Sequence, residues 1–358
     1  MNFTVHRTAF ARSLKLAASV ADRKSTMPLL ANVLLTAGDG AVRVVATDLT
    51  VSVTSSTTAD VKKPGAMTIA AKVLLDMVAL CPGDEVTLTK LDANWCEVKS
   101  GRVRYKVAGL PDRDFPKVAS LEDGQWFAVE TDALRSLIDR TIFSVCSDET
   151  RFHMAGCHLI SDGATIRMVS TDGHRLSTAV VEARAFGTKG ITIPRKGLTE
   201  IKAAIAGVDT CQIATDRGHL FVTAASTTVA VKLIDAQYPP WEQVVPKSHK
   251  RTTTVDRCAL LDAIKRTGLM ASDTRGIKLA IAKDGITLTA TDPNCGEVVE
   301  EIAAESNSAG AVGCNPAYIA ELVGQMTGDQ IELRTTNDLD PVLIVDGNYT
   351  GVIMPMRM

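Results

Sequence analysis

The stretch FTVHRTAFARSLKLAASVA, residues 3–21, determines the predicted fold because related stretches occur twice more along the chain. FAVETDALRSLIDRTIFSV starts at Phe127, and TTVDRCALLDAIKRTGLMA starts at Thr253. Each copy opens with a short strand pattern and continues with apolar residues at helical spacing. Each is followed by an alternating strand pattern that ends in Thr-Asp, at Asp48, Asp172 and Asp292.

Each copy also has a second half with a strand followed by a helix. These segments are GAMTIAAKVLLDMVAL at 65–80, KGITIPRKGLTEIKAAI at 189–205 and GAVGCNPAYIAELVGQM at 310–326. Paired strand patterns come after each of them. We therefore predict an α+β protein of three repeated domains, each with two helices packed on antiparallel sheets. The expected boundaries are 1–120, 121–247 and 248–358, since Pro-rich polar segments lie at both junctions.

Composition excludes several classes of protein. The chain has 358 residues, of which 46% are apolar and 22% charged, as in ordinary globular domains. Its N-terminus lacks an apolar segment typical of a secretory signal, and no apolar run is as long as a membrane span, so we expect a cytoplasmic protein. The eight cysteines are scattered without a C-x-x-C pair. His153, Cys157 and His158 supply too few ligands on one face for a metal, and we expect no cofactor.

The charge of the three repeats differs although the net charge of the whole chain is only −2. Residues 1–120 carry 16 basic and 11 acidic side chains, a net charge of +5. The middle repeat has a net charge of −2 and the last a net charge of −5. If two chains met head to tail, their first and last thirds would attract. We therefore expect this asymmetry to orient a dimer.

The sequence STDGHRLS at 170–177 contains the first candidate site. An aspartate that follows a strand in all three repeats is most simply a residue that caps a turn, so we do not expect Asp172 to be a catalytic acid. The residues found only in the middle copy are Gly173, His174, Arg175 and Leu176. They are the candidate functional site.

The C-terminal sequence VIMPMRM is the second candidate site. Met354, Pro355 and Met356 are apolar residues near the chain end, and methionine-rich surfaces suit adaptable peptide grooves. The alternative is a final strand buried in the last sheet, which explains Val352 and Ile353 better than the residues after them.

The segments TDGHRL, TIPRKG, YPPW with VVP, and the terminal VIMPMRM resemble the bacterial β sliding clamps, the processivity subunits of DNA polymerase III. The resemblance covers essentially the whole chain. It implies a non-catalytic DNA clamp fold, two chains closed head to tail into a ring around duplex DNA, and action in the cytoplasm at the nucleoid. Helices spaced about 9 Å apart around such a ring, roughly 12 in number, would leave a hole of about 24 Å, wide enough for a B-form duplex. Contact would be with phosphates and independent of DNA sequence.

The resemblance implies that basic residues of the inner helices and one loop contact DNA. Surface helices commonly carry lysines for solubility alone, which is the alternative for these positions. The predicted DNA-binding residues are Arg12, Lys15, Lys24, Lys72, Lys196, Lys202 and Lys265.

The resemblance also implies a pocket for short apolar peptide motifs of the polymerase III catalytic subunit, the clamp loader, and other polymerases and repair proteins. Aliphatic walls would give affinity, while Arg175, His174 and Asn315 would orient polar groups of the peptide. Glu242 and Gln243 stand where family members often carry a basic residue, so peptide preference is expected to differ. Met154 and Met358 replace leucines common in the family. The predicted pocket residues are Arg151, Met154, Thr171, Gly173, His174, Arg175, Leu176, Pro239, Val244, Asn315, Tyr318, Val342, Met354, Pro355, Met356 and Arg357.

GRVRYKV in the first repeat and GLMASD in the third match the dimer interface segments of the family. Tyr105, Val107, Leu269 and Met270 would form its apolar centre, or else lie in the domain cores. A hydrolase using His174 is a weaker hypothesis, since no G-x-S-x-G or phosphate-binding loop is present. A repeat scaffold that does not bind DNA is another hypothesis. A sequence-specific DNA binder is disfavoured, because no recognition-helix motif is evident.

Overall fold

The computed structural model describes residues 1–121, 124–184, 187–216, 218–271, 276–294 and 296–357. The chain forms two compact units. Unit 1 consists of Met1–Asp132 and Lys196–Leu233, and unit 2 of Ala133–Arg195 and Ile234–Met358. The middle repeat therefore contributes chain to both units.

Six α-helices occur in the described residues, two for each repeat as the sequence predicts. They are α1 (Arg7–Val20), α2 (Ala71–Leu80), α3 (Thr131–Asp139), α4 (Arg195–Ala204), α5 (Arg257–Gly268) and α6 (Pro316–Val323).

The helices follow the predicted apolar spacing, with small differences. Phe10 and Leu14 of α1 are fully buried, as expected for a helix packed on a sheet. In α5 the buried stripe runs through Leu260 and Ile264, and Leu261 beside it is half-buried. Asp256 begins α5 by accepting the N–H of Ala259 at 2.8 Å.

The strands alternate with these helices in chain order. The first half of the chain contains β1 (Asn2–His6), β2 (Asn32–Gly38), β3 (Ala41–Thr47), β4 (Val51–Lys63), β5 (Gly65–Ala70), β6 (Glu85–Lys90), β7 (Trp95–Ser100), β8 (Val103–Leu110), β9 (Phe127–Glu130), β10 (Gly156–Ser161), β11 (Thr165–Thr171) and β12 (Arg175–Glu182). The second half contains β13 (Thr188–Pro194), β14 (Thr210–Asp216), β15 (His219–Ala224), β16 (Thr227–Lys232), β17 (Arg251–Asp256), β18 (Ile277–Ile281), β19 (Gly285–Asp292), β20 (Gly296–Ser306), β21 (Gly310–Cys314), β22 (Gln330–Thr335), β23 (Val342–Asp346) and β24 (Tyr349–Ile353).

Unit 1 contains one twelve-stranded antiparallel sheet in the order β1-β6-β7-β8-β5-β2-β3-β4-β16-β15-β14-β9. β1 also pairs with β4, so the strands of the first repeat form a closed circuit. The pairing of β4 with β16 joins this circuit to strands of the middle repeat, with Ser52 opposite Ala230.

Unit 2 contains a second twelve-stranded antiparallel sheet, in the order β13-β10-β11-β12-β24-β23-β22-β17-β20-β19-β18-β21. Here β12 pairs with β24, and Leu176 lies opposite Val352. This pairing brings the end of the chain next to the turn after β11. Both predicted site segments therefore lie in unit 2.

Candidate peptide site and basic surfaces

The Thr-Asp pair ends a strand and caps a turn in all three repeats. Asp172 Oδ1 accepts the N–H groups of His174 and Arg175 at 2.9 and 3.0 Å. In the first repeat Asp48 Oδ1 accepts the N–H groups at positions 50 and 51, and in the third Asp292 Oδ1 accepts the N–H at position 294. The prediction that this aspartate is structural is confirmed, since its carboxylate is occupied by its own turn.

Gly173 gives the turn of the middle repeat its shape. Its φ is +88°, a conformation that residues with a Cβ rarely adopt. A Cβ there would lie 3.2 Å from Nη1 of Arg151, which donates to the carbonyl of Asp172 at 3.0 Å. Arg151 therefore crosses close over the glycine and fixes the turn from outside.

Arg175 is buried, with only 9% of its side chain exposed. Its Nε lies 3.1 Å from Oδ2 of Asp172, its Nη1 pairs with Glu321, and its Nη2 donates to the carbonyl of Phe143 at 2.9 Å. The guanidinium carbon lies 4.5 Å from the ring centroid of Tyr318 and 5.2 Å from that of Phe143. Arg175 therefore holds the turn, the segment around Phe143 and helix α6 together. This arrangement differs from the predicted role of a donor that reaches into the peptide.

His174 is exposed and lies over the same tyrosine. Its ring is stacked on Tyr318 with the centroids 6.4 Å apart and an angle of 23°. The carbonyl of His174 accepts the N–H of Met354 at 2.9 Å, and Gly313 accepts the N–H of Met356 at 2.7 Å. These two backbone hydrogen bonds hold the C-terminal segment between β12 and β21.

An apolar wall continues from this segment. Leu176 and Val342 are fully buried and Met154 nearly so, while Met354 and Val244 keep 39% and 43% exposure. A cavity of about 460 Å³ lies against the two exposed side chains, bordered by Pro341 and Thr336 among others. A second cavity, of about 660 Å³, borders Met356 and Arg357. The C-terminal segment thus lies between two openings that could take apolar side chains.

The remaining predicted pocket residues are also in unit 2. Pro239 is half-buried, Pro355 is half-buried, and Thr171 is buried with its hydroxyl donating to the carbonyl of Arg175 at 2.7 Å. Asn315 begins α6, and its Oδ1 accepts the N–H of Ala317 at 2.9 Å. Met358 lies outside the described residues.

Sequence reasoning missed a support beneath the pocket. Tyr238 stacks on His158 with the ring centroids 4.6 Å apart and an angle of 10°. Burial lowers the pKa of His158, so the neutral ring is favoured in the stack. Tyr238 precedes Pro239, and the only sequence signal was the aromatic residue in YPPW.

All seven predicted DNA-binding side chains are exposed. Several of them contact a partner that reduces their availability. Lys196 lies 2.5 Å from Oδ2 of Asp48, Lys72 lies 2.6 Å from Asp76, and Nη2 of Arg12 donates to the carbonyl of Ala206 at 2.9 Å. Lys15 and Lys202 extend from α1 and α4, Lys24 follows α1, and Lys265 extends from α5 at 3.9 Å from Asp262.

The predicted interface residues are not in the domain cores. Tyr105, Val107 and Met270 are half-buried, and Leu269 is 83% exposed. Their place in a dimer interface stays a prediction. Ser272 and Asp273 of the GLMASD segment lie outside the described residues.

Four buried cysteines are not set up as nucleophiles or ligands. Burial raises the pKa of Cys157 and Cys314 to about 12 and that of Cys96 and Cys211 to about 11, which keeps them as neutral thiols. In the described ranges, no cluster of three or more His, Cys, Asp or Glu could hold a metal ion. The helices described there also include none long and apolar enough to cross a membrane.

Family models of the DNA polymerase III β subunit match the chain in three consecutive segments. The N-terminal domain matches residues 1–119, the central domain 128–240 and the C-terminal domain 242–357. The chain is a member of the DNA polymerase III β subunit family. It therefore has the three-domain sliding clamp fold.

Individual relatives agree with this assignment over full length. A beta sliding clamp of Pseudomonas putida is 32% identical over 367 residues, with 100% of both chains covered. The crystal structure of a sliding clamp (DNA polymerase III subunit beta) from Pseudomonas aeruginosa bound to griselimycin has a TM-score of 0.94 and 29% identity, again covering 100% of both chains. Pol III beta of Caulobacter crescentus has a TM-score of 0.94 and 30% identity, with the same coverage.

Proposed function

We propose that the chain is a DNA sliding clamp, a non-catalytic processivity factor that encircles duplex DNA and tethers the replicative polymerase. The observation that carries the proposal is the match of three β-subunit domains, in order, along the whole chain. The domain boundaries remain those proposed from the sequence, 1–120, 121–247 and 248–358. Such a protein would work in the cytoplasm, on the nucleoid.

Partner proteins would bind at the site formed by the turn at 171–176 and the C-terminal segment. The exposed side chains of Met354 and Val244 border an apolar opening, and His174 with Tyr318 offers a flat aromatic surface next to it. This combination suits a short extended peptide with apolar side chains. Glu242 is exposed next to Gln243, which borders the opening, while Lys247 borders it further along. Acidic residues of the motif should therefore be disfavoured near Glu242 but not near Lys247.

Two strand edges support a head-to-tail dimer. β8 pairs with β5 only at Leu110 and Gly109, which leaves its other residues free on that side in the described sheet, and Arg104 and Lys106 extend from it. β20 pairs with β17 only from position 304 onward, and Glu297 and Glu301 are exposed along the remainder. A basic edge of one chain could add to an acidic edge of another. This pairing would satisfy the charge asymmetry between the first and last repeats.

The exposed basic residues of the helices would bind DNA through its phosphates, without contacts that distinguish one base from another. Lys15 and Lys24, on α1 and just after it, are exposed and so could approach a phosphate. Lys196, by contrast, forms an ion pair with Asp48, so its share of phosphate binding should be smaller.

The decisive experiment is topological. The protein is loaded on a nicked circular DNA with ATP and a clamp loader from the same source, and the circle is then cut with a restriction enzyme. Release on cutting is the expected result, because a ring slides off a free end. Retention on the linear DNA, lost only as salt is raised, would mean ordinary phosphate binding and would refute encirclement.

A further inference from the structure

The first repeat contains the same turn as the candidate peptide site, with the same hydrogen bonds. Thr47 Oγ1 donates to the carbonyl of Val51 at 3.0 Å, as Thr171 Oγ1 donates to that of Arg175 at 2.7 Å. In both turns the aspartate that follows the threonine accepts the N–H groups of the residues two and three positions after it.

The strand beside the turn is equivalent as well. The N–H of Lys232, at the end of β16, donates to the carbonyl of Thr50 at 2.8 Å. The N–H of Met354, just after β24, donates to the carbonyl of His174 at 2.9 Å. Lys232 therefore occupies in unit 1 the position that Met354 occupies in the candidate peptide site of unit 2.

Leu49 stands where the middle repeat has Gly173. Its φ is +75°, close to the +88° of the glycine, although a leucine avoids this conformation. The side chain gains little burial in return, since it is 54% exposed. A strained backbone that presents an exposed apolar side chain is a common feature of binding sites.

A cavity of about 310 Å³ lies at this turn. Its border combines apolar and basic side chains. These side chains include Leu49, Val51, Lys117, Val118, Ala119 and His219.

Asp48 is the one acidic residue of this turn, and Lys196 neutralises its carboxylate. Asp48 Oδ2 lies 2.5 Å from Nζ of Lys196, and its carboxylate is only 11% exposed. Burial acts to raise the pKa of Asp48, but the hydrogen bonds from Lys196 and from its own turn outweigh it and lower the pKa. Lys117 and Lys232 are exposed, so the rim is basic.

We propose that this cavity of unit 1 is a second peptide-binding site, which takes an extended segment with an acidic side chain beside an apolar one. The apolar side chain would contact Leu49 and Val118, and the acidic one would pair with Lys117 or Lys232. The inference rests on the proposed function, since it assigns to the first turn the role proposed for its counterpart in unit 2. The two sites differ beside the turn, because the counterpart of Lys232 is the uncharged Met354.

The test uses the full-length chain with labelled leucine and valine methyl groups, observed by NMR during titration. The probe is the amidated peptide acetyl-Glu-Leu-Asp-Leu-Leu, and its matched control is acetyl-Lys-Leu-Lys-Leu-Leu. Methyl signals of Leu49, Val51 and Val118 report on the proposed second site. Signals of Val244 and Val342 report separately on the site of unit 2.

We expect the acidic peptide to shift the first set of signals and the basic peptide to leave it unchanged. Lys117→Glu should lower the affinity for the acidic peptide by about two- to fivefold, the range for one exposed ion pair. The same variant should allow the basic peptide to bind. Lys62→Glu, on exposed Lys62 at the far end of β4, should change neither.

Each of the other possible results would overturn one of the two peptide sites, both of them, or the proposed charge preference. Shifts confined to Val244 and Val342 would overturn the second site and leave the proposed function standing. Shifts confined to Leu49, Val51 and Val118 would support the second site and contradict the peptide site of unit 2. Equal binding of both peptides at the Leu49 set would overturn the proposed charge preference, and no shift in either set would overturn both sites.

Discussion

Replacing Arg175 with methionine tests whether this arginine holds the candidate site together. The substitution keeps a long apolar side chain and removes every charged contact of the guanidinium. The pair with Asp172 is the buried one, with side chains 9% and 17% exposed, whereas Glu321 is 52% exposed and its pairing contributes little.

The magnitude follows from these contacts. Breaking a buried pair costs about 3–5 kcal/mol when one partner is removed. The lost contacts with the rings of Phe143 and Tyr318 add about 0.5–1 kcal/mol each. Methionine recovers about 1–2 kcal/mol through its own apolar burial. We therefore expect Arg175→Met to lower the free energy of unfolding of unit 2 by about 4 kcal/mol.

The assay is differential scanning calorimetry of the full chain. For a unit of this size, about 4 kcal/mol corresponds to a decrease of about 8–16 °C in the midpoint of the affected transition. Arg334→Met is the matched control, because Arg334 pairs on the surface with Glu332 two residues away and should lose less than about 1 kcal/mol. A midpoint for Arg175→Met within about 2 °C of that of the control would refute the reasoning.

Three further predictions concern other parts of the chain. Burial raises the pKa of Glu200 above its usual 4.5, so its carboxyl favours folding below the unfolded pKa, and this contribution is lost as pH rises through the folded pKa. The thermal stability of Glu200→Gln should therefore increase progressively over that of the wild type as pH is raised from about 4 to 7, and a constant difference would contradict this. Leu49→Gly should stabilise the protein to urea by about 0.5–1 kcal/mol, since it relieves a positive φ at an exposed side chain, whereas equal or lower stability would show that the leucine is held by packing. Leu269→Asp should convert a dimer into monomers in light scattering at micromolar concentration, because it places a charge in the proposed interface; an unchanged mass would exclude this leucine from the interface.

The sequence alone determined the features that depend on neighbouring residues. The apolar spacing of the first repeat predicted α1, and the paired halves predicted two helices for each repeat, because a helix forms from interactions three and four residues apart. The role of Asp172 was also predictable, since the N–H groups that it accepts are those of His174 and Arg175. Comparison of the three copies was enough to separate this shared turn from the residues unique to the middle repeat.

Only the tertiary structure decided what those unique residues contact. Arg175 was expected at the surface of the pocket, but its partners Phe143 and Glu321 lie 32 and 146 positions away in the chain. Likewise, the ion pair that occupies Lys196 spans 148 positions to Asp48. Such contacts depend on which strands join in the two large sheets, and strand pairing is set by the burial of whole faces rather than by local sequence. The local sequence therefore predicts the turns and helices, while the pairing of strands in the folded sheets decides which charged side chains remain free to bind a partner.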